Sequence, residues 1–333
     1  MTSAPLAAVT GAEGFIGSHL VEALVAAGHR VRAMAQYNSF SSYGWLETLS
    51  EDVLAEVEIV LGDVRDPGSV RGLAEGADCV YHLAALIAIP YSYRAPHSYV
   101  DTNVTGTLNV LEAVRALGTP RLVHTSTSET YGTAQTVPIT EDHPIHTQSP
   151  YAASKAGADR LADSYHASFG TPVVTLRPFN TFGPRQSMRA VIPTVIGQLA
   201  AGERVITLGD LRPTRDFTYV EDTARAFLAV GTADAGRVVG RTFNAGTGGE
   251  ISVGDLVALI GKVTGTEVDV REDAERVRPA ASEVMRLVAD ATRLRETTGW
   301  APAHDLEQGL ARTAEFFQDP ANLARYKTGI YNV

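Results

Sequence analysis

Over the first half of the chain, short apolar runs alternate with longer amphipathic stretches. Runs at 6–10, 31–34, 55–60, 78–81, 121–124 and 172–176 are rich in Val, Ile, Leu and Ala and have the length of strands. Between them, residues 15–27, 104–117 and 151–168 carry the spacing of helices that bury one face. Strands alternating with helices predict an α/β fold with a doubly wound parallel sheet, the Rossmann arrangement. Its ligand site lies at the carboxyl ends of the strands. After about residue 180 the pattern breaks up, and Gly183-Pro184-Arg185 and Gly209-Asp210-Leu211-Arg212-Pro213 are turn signals between shorter elements. The expected organisation is a dinucleotide-binding domain over 1–180, to which segments near 215–245 return. A smaller C-terminal substrate-binding domain takes up most of 181–330.

A chain of 333 residues, 44% of them hydrophobic, can bury a large core. The single cysteine, Cys79, excludes an internal disulfide, and its apolar run reads as a buried strand thiol. No stretch has the roughly 20 apolar residues of a membrane span. The opening residues run straight into a strand, so a cytoplasmic protein without a leader is expected. A net charge of −10 argues against nucleic acid as a partner, and an anionic substrate would need locally clustered arginines. No metal site is expected.

Gly11-Ala12-Glu13-Gly14-Phe15-Ile16-Gly17 falls between the first strand and the first helix. Glycines there permit a tight turn and close approach of backbone to a pyrophosphate, with a helix N-terminus facing the anion. The spacing departs from the usual dinucleotide fingerprint, and a ligand-free turn is the alternative reading. Asp63-Val64 follows the third strand and is either an adenine contact or an ordinary loop. Tyr151 and Lys155, four apart on a helix, share a face. An ammonium beside the phenol would lower its pKa and make it a base near neutral pH; a solvated surface pair is the bland reading. Thr125-Ser126-Thr127-Ser128-Glu129 follows a strand end, as ligand-binding hydroxyls and a carboxylate would, or as a polar turn would.

Together, TGAEGFIGSHL at 10–20, YHLAA at 81–85, Asn103 in DTNVTGT, TSTSETYG at 125–132, SPYAASKAGAD at 149–159, RPFNTFGPRQ at 177–186 and RDFTYVED at 215–222 resemble the NAD(P)-dependent sugar epimerase/dehydratase family, extended short-chain dehydrogenase/reductases. The likeness runs to about residue 318. The Thr-Ser-Glu triplet looks like that of nucleotide-sugar 4,6-dehydratases, and the stretches 37–47 and 86–103 look like bacterial dehydratases of nucleotide-linked N-acetylglucosamine on the legionaminic acid route. The resemblance implies catalytic roles for Thr127, Ser128, Glu129, Tyr151 and Lys155. Tyr151 would take the proton of the sugar's 4-hydroxyl as hydride leaves carbon 4, with Thr127 orienting the oxygen. Glu129 would remove the carbon-5 proton, water would leave carbon 6, and hydride would return there. Ser128 stands where many glucose-specific dehydratases have an aspartate, so Glu129 would serve as base and then acid.

For the cofactor the resemblance implies Gly11, Gly14, Phe15, Ile16, Gly17, Leu83, Ala84, Ala85, Asn103 and Pro178 beside Tyr151 and Lys155. For a nucleotide-diphosphate sugar it implies Asn180, Arg185, Val191, Arg215 and Arg278. The strand-end position that is acidic in NAD-specific proteins is Ala35 here, but no Arg or Lys occurs in 33–47 to meet a 2′-phosphate. NAD is therefore expected over NADP, with Asn38 or Ser39 on the ribose. A homodimer through helices near 104–117 and 151–168 is expected. Rival readings are a nucleotide-linked glucuronate decarboxylase, a nucleotide-sugar 4-epimerase and a silent nucleotide-binding scaffold.

Overall fold

The computed structural model describes residues 4–273, 276 and 279–330. Its centre is a seven-stranded, all-parallel sheet. Strands β1 (Leu6–Thr10), β2 (Arg30–Gln36), β3 (Val57–Gly62), β4 (Cys79–His82), β5 (Leu122–Thr125) and β6 (Val173–Pro178) are joined by an edge strand, Thr242–Ala245. Their order is edge, β6, β5, β4, β1, β2, β3, so the direction of winding reverses beside β1. The carboxyl ends on either side of that reversal diverge and leave a crevice.

β1 is buried because both faces of the sheet are covered. Ala7 and Val9 point one way, into Leu20, Val21 and Leu24 of helix α1 (Phe15–Ala26) and Phe227 and Val230 of the Val220–Thr232 helix. Ala8 points the other way, towards Val110, Leu111 and Val114 of the Gly106–Leu117 helix. Each fully buried Leu or Val contributes about 1.5–3 kcal/mol, so these few side chains hold the sandwich. The Val220–Thr232 helix and the edge strand thus join the sheet assembly from far along the sequence. β3 begins at Val57, two residues later than the apolar run suggests. Ser50 caps a helical turn over Glu51–Leu54, whose last carbonyl bonds carry the chain through Ala55 and Glu56.

A second core gathers Phe182, Ile192, Val195, Ile196, Ile206, Phe217, Leu256, Ile260, Leu310 and Phe317. Three small sheets frame it, pairing Asn180–Phe182 with Phe217–Tyr219, Val205–Leu208 with Asp269–Glu272, and Thr214–Arg215 with Ile251–Ser252 and Arg286–Leu287. No helix among the described residues is long and apolar enough to cross a membrane.

Candidate active site

A cleft of about 960 Å3 opens at the carboxyl ends of β1, β4, β5 and β6, with the second core as its far wall. Its floor begins at the glycine turn. Gly11 has φ +67°, and a Cβ there would stand 2.8 Å from the Ala84 nitrogen. A Cβ on Gly17 would stand 2.0 Å from the Gly11 carbonyl oxygen. Only glycine brings α1 this close to the turn, which aims the first free N–H groups of the helix into the cleft. Gly14, Phe15 and Ile16 line the same floor, as do Asp63 and Val64 beyond β3 and Leu83, Ala84 and Ala85 beyond β4. The bare backbone, the helix N-terminus and the apolar walls fit a dinucleotide.

The loop after β4 is set by a buried relay. Thr10 Oγ1 accepts from the Leu83 and Ala84 N–H groups at 3.1 Å each, so its own proton goes to His82 Nδ1 at 2.8 Å. His82 Nε2 therefore carries the ring proton and donates to Thr107 Oγ1 at 3.0 Å, while Thr107 donates to the Asn103 carbonyl. Burial, then the nearby His124 and Lys155, hold His82 well below its ordinary pKa, as a neutral ring requires.

The catalytic corner is built by β5 and the Pro150–Phe169 helix. Ser149 caps that helix by accepting from Ala152 N–H at 3.1 Å, and Pro150 sits at its first position. Tyr151 and Lys155 thereby face the strand end, where Thr127 caps a short 3-10 turn over Ser128–Tyr131. Thr127, Ser128, Glu129, Tyr151 and Lys155 all line the cleft with Pro178. Lys155 Nζ donates to the Thr125 carbonyl at 2.5 Å. Burial depresses its pKa to about 8, against the pull of Asp159. The Glu129 carboxylate makes no hydrogen bond or ion pair with any described residue.

Behind this corner lies a closed polar network. One turn beyond Lys155, Asp159 accepts from His124 Nε2 at 3.0 Å, Ser126 Oγ at 2.6 Å and Arg177 Nη2 at 2.9 Å. Arg177 also donates to Tyr131 at 3.0 Å, and Tyr131 donates to Asn244 at 2.8 Å. Burial raises the Asp159 pKa, but its three donors and the Arg177 charge overcome that and hold it well below the carboxylate range. Helix and strands are so locked at the level of the catalytic residues.

Several expectations need correction. Tyr151 is not acidified by Lys155 here: burial, assisted by the Glu129 charge, pushes the phenol up, and only Thr127 offsets it. Asn103 does not line the cleft. Its amide clamps Leu86 through both backbone groups and holds Ser154 Oγ at 2.9 Å, supporting the loop from behind. Asn38 folds back on its own loop, with hydrogen bonds to Gln36, Phe40 and Ser42, and neither it nor Ser39 reaches the cleft; Gln36 does. Arg185 also lies off the cleft, gripping Glu22 at 2.7 and 3.0 Å. Asn180, Val191 and Arg215 line it, Arg215 in an ion pair with Glu283 at 2.9 Å. Arg278 lies outside the described residues. Glu13, Arg189 and Arg276 also line the cleft, though no motif in the sequence marks them as site residues. Buried Cys79 is no nucleophile, its pKa being pushed up to about 12. No group of His, Cys, Asp or Glu among the described residues is placed to hold a metal ion.

A parallel sheet with this strand order, a glycine turn into α1 and a Tyr/Lys pair at the crevice define an extended short-chain dehydrogenase/reductase. The sequence profile of the GDP-mannose 4,6 dehydratase family matches residues 8–313, and the chain belongs to that family. It is 36% identical to a dTDP-glucose 4,6-dehydratase of Streptomyces griseus, covering 93% of each chain. It is 35% identical to a UDP-glucose 4-epimerase of Mycolicibacterium smegmatis, covering 93% of this chain and 98% of the relative. Among solved structures, a dTDP-glucose 4,6-dehydratase of Streptomyces venezuelae with NAD bound superposes with a TM-score of 0.83 at 29% identity, covering 96% of this chain and 98% of that one. The chain is an enzyme of nucleotide-sugar chemistry with a nicotinamide cofactor.

Proposed function

We propose that this enzyme is a nucleotide-sugar 4,6-dehydratase acting on a nucleotide-linked N-acetylglucosamine or glucose with NAD, as a cytoplasmic homodimer. The observation that carries the reading is the Glu129 carboxylate, which lines the cleft beside Thr127 and Tyr151 with no partner among the described residues. The bound nicotinamide ring would supply the acceptor and later the donor of hydride. Tyr151 draws off the 4-hydroxyl proton as Thr127 holds that oxygen. Burial raises the Tyr151 pKa and the Thr127 hydrogen bond opposes it. Glu129 then takes the proton made acidic by the 4-ketone, and returns it to the departing hydroxyl because Ser128 is too weak an acid. Asn180, Arg215 and Val191 are the substrate contacts on the far wall. Arg189 gives some support to the decarboxylase reading, since its guanidinium lines the cleft without a partner among the described residues. For the dimer, the Gly106–Leu117 and Pro150–Phe169 helices lie side by side and offer a joint surface.

Incubation with a panel of nucleotide sugars and mass spectrometry separates the readings. Loss of water supports dehydration, loss of carbon dioxide supports decarboxylation, and an isomer of unchanged mass supports epimerisation. Glu129→Gln should reduce cofactor in a single turnover yet lower overall dehydration by about 10²–10⁴-fold. A folded variant that dehydrates at the wild-type rate overturns the assignment.

A further inference from the structure

The end of β2 lacks the acidic residue that normally meets the adenosine ribose, because Ala35 and Gln36 stand there. The structure brings a carboxylate to that place from elsewhere. Glu13, inside the glycine turn, accepts from the Gln36 N–H through Oε1 at 3.1 Å, and both residues line the cleft. The turn is pinned against β2 and the following loop, with Ala12 N–H on the Met34 carbonyl at 3.3 Å and Trp45 N–H on the Glu13 carbonyl at 3.0 Å. Its other oxygen, Oε2, is covered and has no hydrogen-bond partner among the described residues. Among the described residues no ion pair neutralises it, whereas the nearby Asp63 is held by Arg65 at 2.6 Å. Burial raises the Glu13 pKa against the backbone hydrogen bonds it accepts, so Glu13 is the carboxyl group without a counter-ion at the end of the cleft where a 2′-phosphate would sit.

We infer that Glu13 is the specificity residue of the cofactor site, excluding NADP by charge where the end of β2 carries none. A phosphate dianion brought beside a carboxylate of fixed position is disfavoured, while an uncharged 2′-hydroxyl is not. The inference rests on the reading that the cleft binds a nicotinamide dinucleotide with its adenosine half at β2. The test is equilibrium binding of NAD+ and NADP+ to nucleotide-stripped protein by calorimetry, without turnover. Wild type should favour NAD+. Glu13→Gln keeps the acceptor for Gln36 and should tighten NADP+ by about tenfold or more, with NAD+ altered by less than about threefold. Glu13→Ser, in case the amide packs badly, should shift the ratio the same way. Unchanged ratios in both Glu13 variants overturn the inference and leave the cofactor reading intact. Wild-type preference for NADP+ overturns it too. Failure of wild type to bind either nucleotide sinks the underlying reading instead.

Discussion

Replacing Asp159 by Asn tests whether the network behind Lys155 tunes the site or merely holds the fold. Asp159 and Arg177 are 3% and 5% exposed, so the substitution leaves a guanidinium buried without its counter-ion. Breaking a buried pair this way costs about 3–5 kcal/mol, and Asn also presents an N–H2 group where the carboxylate accepted from Ser126, His124 or Arg177. Urea unfolding at pH 7–8, where His124 is neutral, should show a loss of that order. The Asp159 pKa is depressed in the fold, so its contribution is complete above the ordinary carboxylate pKa and is lost as pH falls through the lower folded value. The second readout concerns Lys155, whose ammonium is favoured by Asp159 against burial. Without that carboxylate its pKa must fall below about 8, so the alkaline limb of the first half-reaction should move to lower pH. A purely structural role would scale the profile without moving it. A stability loss under about 1 kcal/mol together with an unmoved limb would refute the reasoning.

Two further changes follow from the glycine turn and from the correction at Arg185. Gly17→Ala forces a methyl to 2.0 Å from the Gly11 oxygen, so calorimetry should show dinucleotide binding weakened by at least about tenfold, with a lower melting temperature. Arg185→Ala should leave the KM for nucleotide sugar unchanged; because Glu22 is one-third exposed, stability should fall by no more than about 1 kcal/mol in denaturant unfolding.

The legible parts of this site are those whose chemistry is encoded over a few consecutive residues. Gly11, Gly14 and Gly17 announce a backbone demand at a strand-to-helix junction, and Tyr151 and Lys155 announce a shared helix face. The starts of the Pro67–Ala74 and Leu306–Gln318 helices are also marked locally, by Asp66 with Pro67 and by the Asp305/Gln308 capping box. Asn38 differs from its expectation because a short amide can satisfy its own loop as easily as a ligand, and sequence does not say which. Arg185 adopts φ +70° directly after Gly183-Pro184, and that turn sends the side chain to α1. The network of His124, Ser126, Asp159 and Arg177 has no local signature. Its members come from β5 and the loop after it, β6 and a helix, and meet only because parallel strands stack in register. Glu13 was hidden for the same reason: the carboxylate sought at the end of β2 is supplied by the preceding turn.

Family membership leaves dehydration and epimerisation open, since relatives named for each cover almost the whole chain at nearly equal identity. Oxidation at carbon 4 asks the same of both, namely Tyr151, Lys155 and Thr127 at the crevice. The two paths part at the 4-ketone, where an epimerase needs only to re-present the sugar to the reduced cofactor, while a dehydratase needs a base at carbon 5. A carboxylate withdrawn partly from water without a partner is destabilising, and Asp63 and Glu283 near the cleft avoid that cost through Arg65 and Arg215. Glu129 does not. On the proposed dehydration path Glu129, at the mouth of the Thr127 turn, would meet the substrate and remove its carbon-5 proton.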